Sequence, residues 1–188
     1  IELNYRNINS SDFVQMVRAD GTKETSMPVA NIVLNTRIGK GERFVSGEFE
    51  RISLGSDHPI INVNATFGVK GVLEAKYSYT KLDVNLVHKI PLNPIGYLRY
   101  IIEGGKIWGS VPYSLLKLHE GNETYALNKF SFNMMNYYEF ASDQWVSLTL
   151  EHHFNGFLLN HIPLMRKLKW REVIYGKGLV GTLSDGNQ

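Results

Sequence analysis

QWVSLTLEHHFNGFLLNHIPLMRKLKWREVIYGKGLVG, residues 144–181, decides how the rest of the chain is read. Its first part alternates: Val146, Leu148, Leu150 and Phe154 oppose Ser147, Thr149, Glu151 and His153. A period of two is the mark of a strand with unlike faces. An apolar turn, a basic run (Arg166-Lys167-Leu168-Lys169-Trp170-Arg171) and a second strand follow.

The same period recurs upstream. Ala30, Ile32, Leu34, Thr36 and Ile38 share a face against Asn31, Val33, Asn35 and Arg37. Ile61, Val63, Ala65 and Phe67 oppose Asn62, Asn64 and Thr66. Leu82, Val84, Leu86 and Ile90 oppose Lys81, Asp83, Asn85 and Lys89. Leu98, Tyr100 and Ile102 oppose Arg99 and Glu103. Residues 43–54 are expected to be extended but charged on both sides. Residues 130–140 alternate moderately, through Phe130, Phe132, Met134, Tyr138 and Phe140. No helical period persists. Gly104-Gly105 suggests a bulge or a close backbone approach. Residues 1–28 read as a peripheral hairpin or loop, with a short strand at Asp12–Arg18 and a turn at Ala19-Asp20-Gly21-Thr22.

This gives about seven or eight strands, several longer than the ~5–6 residues common in globular sheets. A 12-residue strand is ~40 Å long. Tilted ~45°, it rises far enough to cross the ~25 Å apolar band of a membrane barrel. The expected fold is therefore all-β, a fragment of an antiparallel transmembrane β-barrel over residues 29–188. The chain opens on Ile1 rather than Met, which reads as a piece of a longer protein. No apolar run approaches the ~20 residues of a membrane-crossing helix. The absence of cysteine excludes disulfide scaffolds, thiolate metal sites and thiol catalysis. A net charge of +2 without a long single-sign block argues against a nucleic-acid binder.

Residues 88–109 and 160–181 repeat each other without gaps at an offset of 72, with seven of 22 positions identical. The pairs include Ile90/Ile162, Pro91/Pro163, Leu92/Leu164, Arg99/Arg171 and Gly104/Gly176. If both Ile-Pro-Leu turns lie on one side, residues 109–143 contain an even number of crossings. Either 109–129 holds another strand, or 130–140 belongs to a long loop folded into the lumen. The folded-in loop is preferred.

Four blocks carry a resemblance: FERISLGS (49–56), EGGKIWGSVPYSLL (103–116), FNMMNYYEFASD (132–143) and EHHFNGFLLNHIPLMRKLKWREV (151–173). In them the chain resembles a family of Gram-negative outer-membrane barrels of unknown function that follow a carboxypeptidase-regulatory-like domain. It is more distantly similar to surface-antigen and assembly-factor barrels, but their Arg-Gly-Tyr/Phe loop signature is missing. The resemblance implies the fold and a place in the cell outer membrane. It implies no catalytic residues.

No catalytic, cofactor-binding or metal-binding residue is expected. His152, His153 and His161 lack a completing carboxylate or Cys, and adjacent strand residues face opposite ways. Glu103, Glu139, Glu151 and Glu172 offer carboxylates without a demonstrable pair. The residues expected at the membrane interface are Tyr100, Trp108, Arg166, Lys167, Lys169, Trp170 and Arg171. Tyr100 and Trp108 are eight residues apart on one face, near the spacing of two aromatic girdles, unless a bulge flips one. The basic run is either a head-group contact or a solvated turn. Outer-membrane lipids are the expected partners, with other envelope proteins as further candidates and no nucleic acid. The expected role is structural, transport or surface-protein biogenesis, without catalysis. The alternatives are a soluble lipid- or glycan-binding β-barrel and a hydrolase on a β scaffold.

Overall fold

The computed structural model describes residues 1–10, 16–17, 21–126, 128 and 131–187. The strands follow in chain order as β1 (Glu2–Asn9), β2 (Met16–Val17), β3 (Lys23–Glu24), β4 (Ser26–Gly39), β5 (Arg43–Ser46), β6 (Arg51–Gly55) and β7 (Ile60–Gly68). After them come β8 (Tyr79–Pro91), β9 (Tyr97–Trp108), β10 (Lys117–Leu118), β11 (Ala141–Ser142), β12 (Gln144–His153) and β13 (Val173–Thr182), with one short helix, α1 (Pro163–Lys167). Seven of these strands form one antiparallel sheet in the order β1-β4-β7-β8-β9-β12-β13. The others form three small ladders, β2 with β3, β5 with β6 and β10 with β11.

The register explains why the alternating stretches become neighbours. Ile38, Ile61, Leu86, Ile102 and Leu148 are paired in turn across five strands. Thr36, Val63, Val84, Gly104, Val146 and Val180 form the next row on the same face. A one-residue slip anywhere would turn a strand's apolar set to the other side, so the two-residue period fixes the pairing. The opposite face carries the polar set. There, Arg37 Nη1 donates to Asn62 Oδ1 (2.9 Å), Asn62 Nδ2 to Asn85 Oδ1 (3.3 Å) and Asn85 Nδ2 to Glu103 Oε1 (2.8 Å). This rung of side chains spans β4, β7, β8 and β9.

The 109–143 connection joins two adjacent antiparallel strands, β9 and β12, so it leaves and re-enters the sheet at the same end. It folds back over the polar face. Its Val111, Leu115 and Leu116 pack with Met27, Val29, Tyr79, Ile107 and Trp145 as the buried cluster of the molecule. Trp145 fits because Gly105 stands opposite it on β9; Gly181, opposite it on β13, makes room for Ser142 instead. A Cβ at Gly105 would collide with the indole ring and come within 2.6 Å of the Leu82 carbonyl oxygen. Close approach is therefore the role of this glycine. The β8–β9 and β9–β12 registers run through Gly104-Gly105 without a shift, so no bulge forms there.

Several expectations are corrected. Within residues 1–28, Glu2–Asn9 is a strand that pairs with β4 at the edge of the main sheet. Met16–Val17 pairs with Lys23–Glu24, while residues 11–15 and 18–20 of the expected strand and turn lie outside the described residues. Residues 43–54 are not one extended run but a small hairpin, turned by Gly47, whose N–H donates to the Glu50 carbonyl (2.8 Å). Residues 131–140 form no strand of the sheet, and Phe130 lies outside the described residues. Local side-chain bonds take the place of a ladder there. Asn122 Nδ2 donates to Asn133 Oδ1 (2.8 Å), and Glu139 Oε2 accepts from the Asn136 N–H (2.8 Å).

Candidate functional site

The two faces of the sheet, and the connection at one end, are the places where this molecule meets its surroundings. One face is apolar and open. Ile38 and Val146 are each 58 % exposed, and Val180 is 73 % exposed. Leu34, Phe67, Val84, Ile102, Leu148, Leu150 and Ile174 are also exposed on this face. Single exposed apolar residues are ordinary, whereas a continuous sheet face of them is not.

The other face is polar and partly covered. A cavity of about 200 Å³ lies between it and the 109–143 connection. Glu103, Trp145, Ser147, Thr149 and Glu151 line it from the strands, and Lys117, His119, Glu120 and Phe132 from the connection. Glu151 is nearly fully buried, with Arg99 Nη1 3.5 Å and His153 Nε2 3.6 Å from Oε2. His153 stacks on Tyr97 with ring centroids 4.4 Å apart, and the Lys89 ammonium lies 4.0 Å from the same Tyr97 ring centre. Lys177 Nζ donates to the Ser131 carbonyl (2.6 Å), tying the connection to β13.

Two groups of the connection have shifted proton affinity. Burial, and then the charge of Lys117, push the His119 imidazole below the usual histidine range; its Nε2 lies 3.0 Å from Ser142 Oγ. At Asp143 burial opposes ionisation. The Ser184 hydroxyl, the Asn187 amide (2.9 Å) and the Ser184 N–H (3.0 Å) outweigh it and hold the carboxyl below the usual aspartate range.

The residues expected at a membrane interface fall into two places. Tyr100 and Trp108 both lie on the apolar face of β9, near its opposite ends. Eight residues of strand separate them by ~26 Å. Tyr100 Oη is 3.3 Å from His88 Nδ1, and Trp108 is 45 % exposed. Arg166, Lys167, Lys169, Trp170 and Arg171 all lie exposed in the 154–172 connection between β12 and β13. Both Ile-Pro-Leu motifs sit at this one end of the sheet. They are not structural copies: Pro91 closes β8, whereas Pro163 opens α1. Proline at the first helical position is a start signal that Pro163 offered in the sequence.

His152 and His153 face opposite sides: His152 Nε2 lies 3.0 Å from the Ile95 carbonyl on the apolar side. Glu139 and Glu172 serve turns, the latter accepting the Leu158 and Leu159 N–H groups (2.8 and 2.5 Å). Glu103 and Glu151 do share the cavity lining, which the sequence did not foretell because it gave no register. The same missing register hid the Arg37–Asn62–Asn85–Glu103 rung, of which only the alternating polar positions were visible.

The molecule is thus a mostly β protein built on one antiparallel sheet with an apolar face and a polar face. It belongs to a family of unknown function, as the C-terminal domain of that family (DUF5686), whose model matches residues 14–185. The chain matches no curated protein and no solved structure.

Proposed function

We propose that this chain is part of a β-barrel of a cell outer membrane, with the apolar face toward lipid and the polar face toward the lumen. Its role is structural, in transport or in surface-protein biogenesis, and it carries no catalytic chemistry. The observation that supports this reading is the register-aligned apolar face, exposed across the main sheet. In water such a face would be a liability; in lipid it is satisfied. Strands of nine to 14 residues on β4, β7, β8, β9, β12 and β13 suit a membrane crossing. Among the described residues no helix is long and apolar enough to cross a membrane. The covered face is the polar one, under the 109–143 connection. That arrangement argues against a soluble barrel with a lipid or glycan inside, which would cover its apolar face.

The experiment is fractionation of the full-length protein. It is expected to sediment with outer membranes, to need detergent for extraction and to migrate differently on gels before and after heating. A monodisperse, detergent-free monomer would overturn the reading.

A further inference from the structure

We propose that the 154–172 connection binds the phosphate groups of anionic lipid head groups, through Arg166, Lys167, Lys169 and Arg171. The inference deepens the membrane reading above and rests on it.

Four cations fall within six residues, all exposed, and none has a carboxylate partner among the described residues. The acid nearest in sequence, Glu172, forms no ion pair with them. Its carboxylate is turned back into the connection, where Oε1 accepts the Leu158 and Leu159 N–H groups. The other long connection at this end of the sheet, residues 40–59, behaves differently. Arg43 lies 3.7 Å from Asp57, Arg51 sits over the Phe44 ring, and Glu42 takes Arg37 of β4 at 2.5 Å. Residues 40–59 set Lys40, Arg43 and Arg51 against Glu42, Glu48, Glu50 and Asp57, whereas 154–172 set four cations against Glu172 alone, so of these two connections only 154–172 carries excess positive charge.

That charge is held in place. The Trp170 N–H reaches the Met165 carbonyl (3.3 Å) and the Lys169 N–H the Arg166 carbonyl (3.2 Å), with Lys169 in the left-handed region at φ 56°. This pair of bonds is the Schellman ending of a helix. Arg171 Nη1 donates to Asn160 Oδ1 (3.3 Å) and to the Trp170 carbonyl (2.8 Å). Around the cations, Leu158, Ile162, Leu164, Leu168 and Trp170 are 47–61 % exposed. A soluble acidic partner would match the charge but not the apolar ring around it; a lipid supplies phosphate and acyl chain together. Arginine's planar fork suits phosphate oxygens, and the stems of Lys and Arg can lie along apolar surface while their heads reach outward.

The test uses the full-length protein in neutral-detergent micelles doped with phosphatidylglycerol or with phosphatidylcholine, read by Trp170 fluorescence with Trp108, Trp145 and any further tryptophan of the full-length protein replaced by Phe. Phosphatidylglycerol is expected to bind at least tenfold better. Replacing Arg166, Lys167, Lys169 and Arg171 by Gln is expected to abolish the preference, each single substitution lowering it by up to about fivefold. Heat-modifiable migration checks that both variants are folded. Equal binding of the two lipids, or a preference that survives the four substitutions, would overturn the inference. Competition by inorganic phosphate at equal concentration would also overturn it, in favour of a free-anion site. A protein that stays monodisperse without detergent fails the barrel reading instead. The head-group inference is then decided by co-sedimentation with phosphatidylglycerol vesicles, absence of which sinks it too.

Discussion

At the scale of single residues, the molecule turns on Trp145. Its ring is buried over the polar face, against Ile107, Met27 and the 109–143 connection, and it has room because Gly105 lacks a side chain. Lys81 and His119 approach the same ring, the latter edge-on with centroids 6.5 Å apart. Adding one methyl at Gly105 forces either the indole or the β8 backbone to move, and overpacking of that kind costs about 1–3 kcal/mol. Gly105→Ala is therefore expected to lower the unfolding free energy of the refolded protein by that amount, as read by urea titration. Gly176→Ala serves as the control, because a Cβ there meets nothing within 4 Å. Equal effects of the two substitutions would remove Trp145 from this role.

At the scale of elements, the 109–143 connection is held by groups that respond to acid. His119 is buried with its proton affinity lowered, so the unfolded chain takes up a proton before the folded one does. The stability this contributes is full above the ordinary histidine value of about 6.5 and is lost as pH falls below it, toward the folded value. The urea midpoint, followed by Trp145 fluorescence with Trp108, Trp170 and any further tryptophan of the full-length protein replaced by Phe, is expected to drop between pH 7.5 and 5.5. His119→Gln is expected to flatten that dependence; an unchanged slope would show that other groups carry it. The strands around this connection were legible in the sequence because their signal is local: alternation at Ile61–Phe67 or Leu82–Ile90 needs no knowledge of neighbours. The connection itself was half legible. The repeat asked for an even number of sheet strands between β9 and β12, and among the described residues there is none. Yet Phe132, Met134, Tyr138 and Phe140 alternate like a strand and are not one. Alternation cannot register that Asn133 accepts from the Asn122 side chain and that Glu139 accepts the Asn136 N–H. The hairpin at 43–55 was missed for a related reason, since its charges hid any face. The small helix at Pro163–Lys167 was too short to show a period. Of the interface candidates, composition pointed to the basic run, but only the fold shows that the Glu172 carboxylate beside it is turned to the Leu158 and Leu159 N–H groups and that its four cations have no carboxylate partner among the described residues.

At the scale of the whole molecule, strand direction constrains what completes the sheet. Neighbours alternate from β1 through β4, β7, β8, β9 and β12 to β13, so the first and last of the seven run the same way. Closing these seven strands on themselves would pair β1 with β13 in parallel. Single-chain bacterial outer-membrane barrels use even numbers of antiparallel strands. On the membrane reading, an odd number of further strands must therefore stand between β13 and β1. One extra strand would make eight, whose interior is filled by side chains alone. That leaves no room for the 109–143 connection, which lies on the polar face with the side chains of the rung and of Trp145 beneath or beside it. At least three further strands are expected, giving a barrel of ten or more with its lumen narrowed on one side. A structure of the full-length protein in detergent is the measurement. An even total of ten or more, with 109–143 inside, fits the constraint. An odd total, a parallel β1–β13 seam, or a connection displaced outside the barrel would break it.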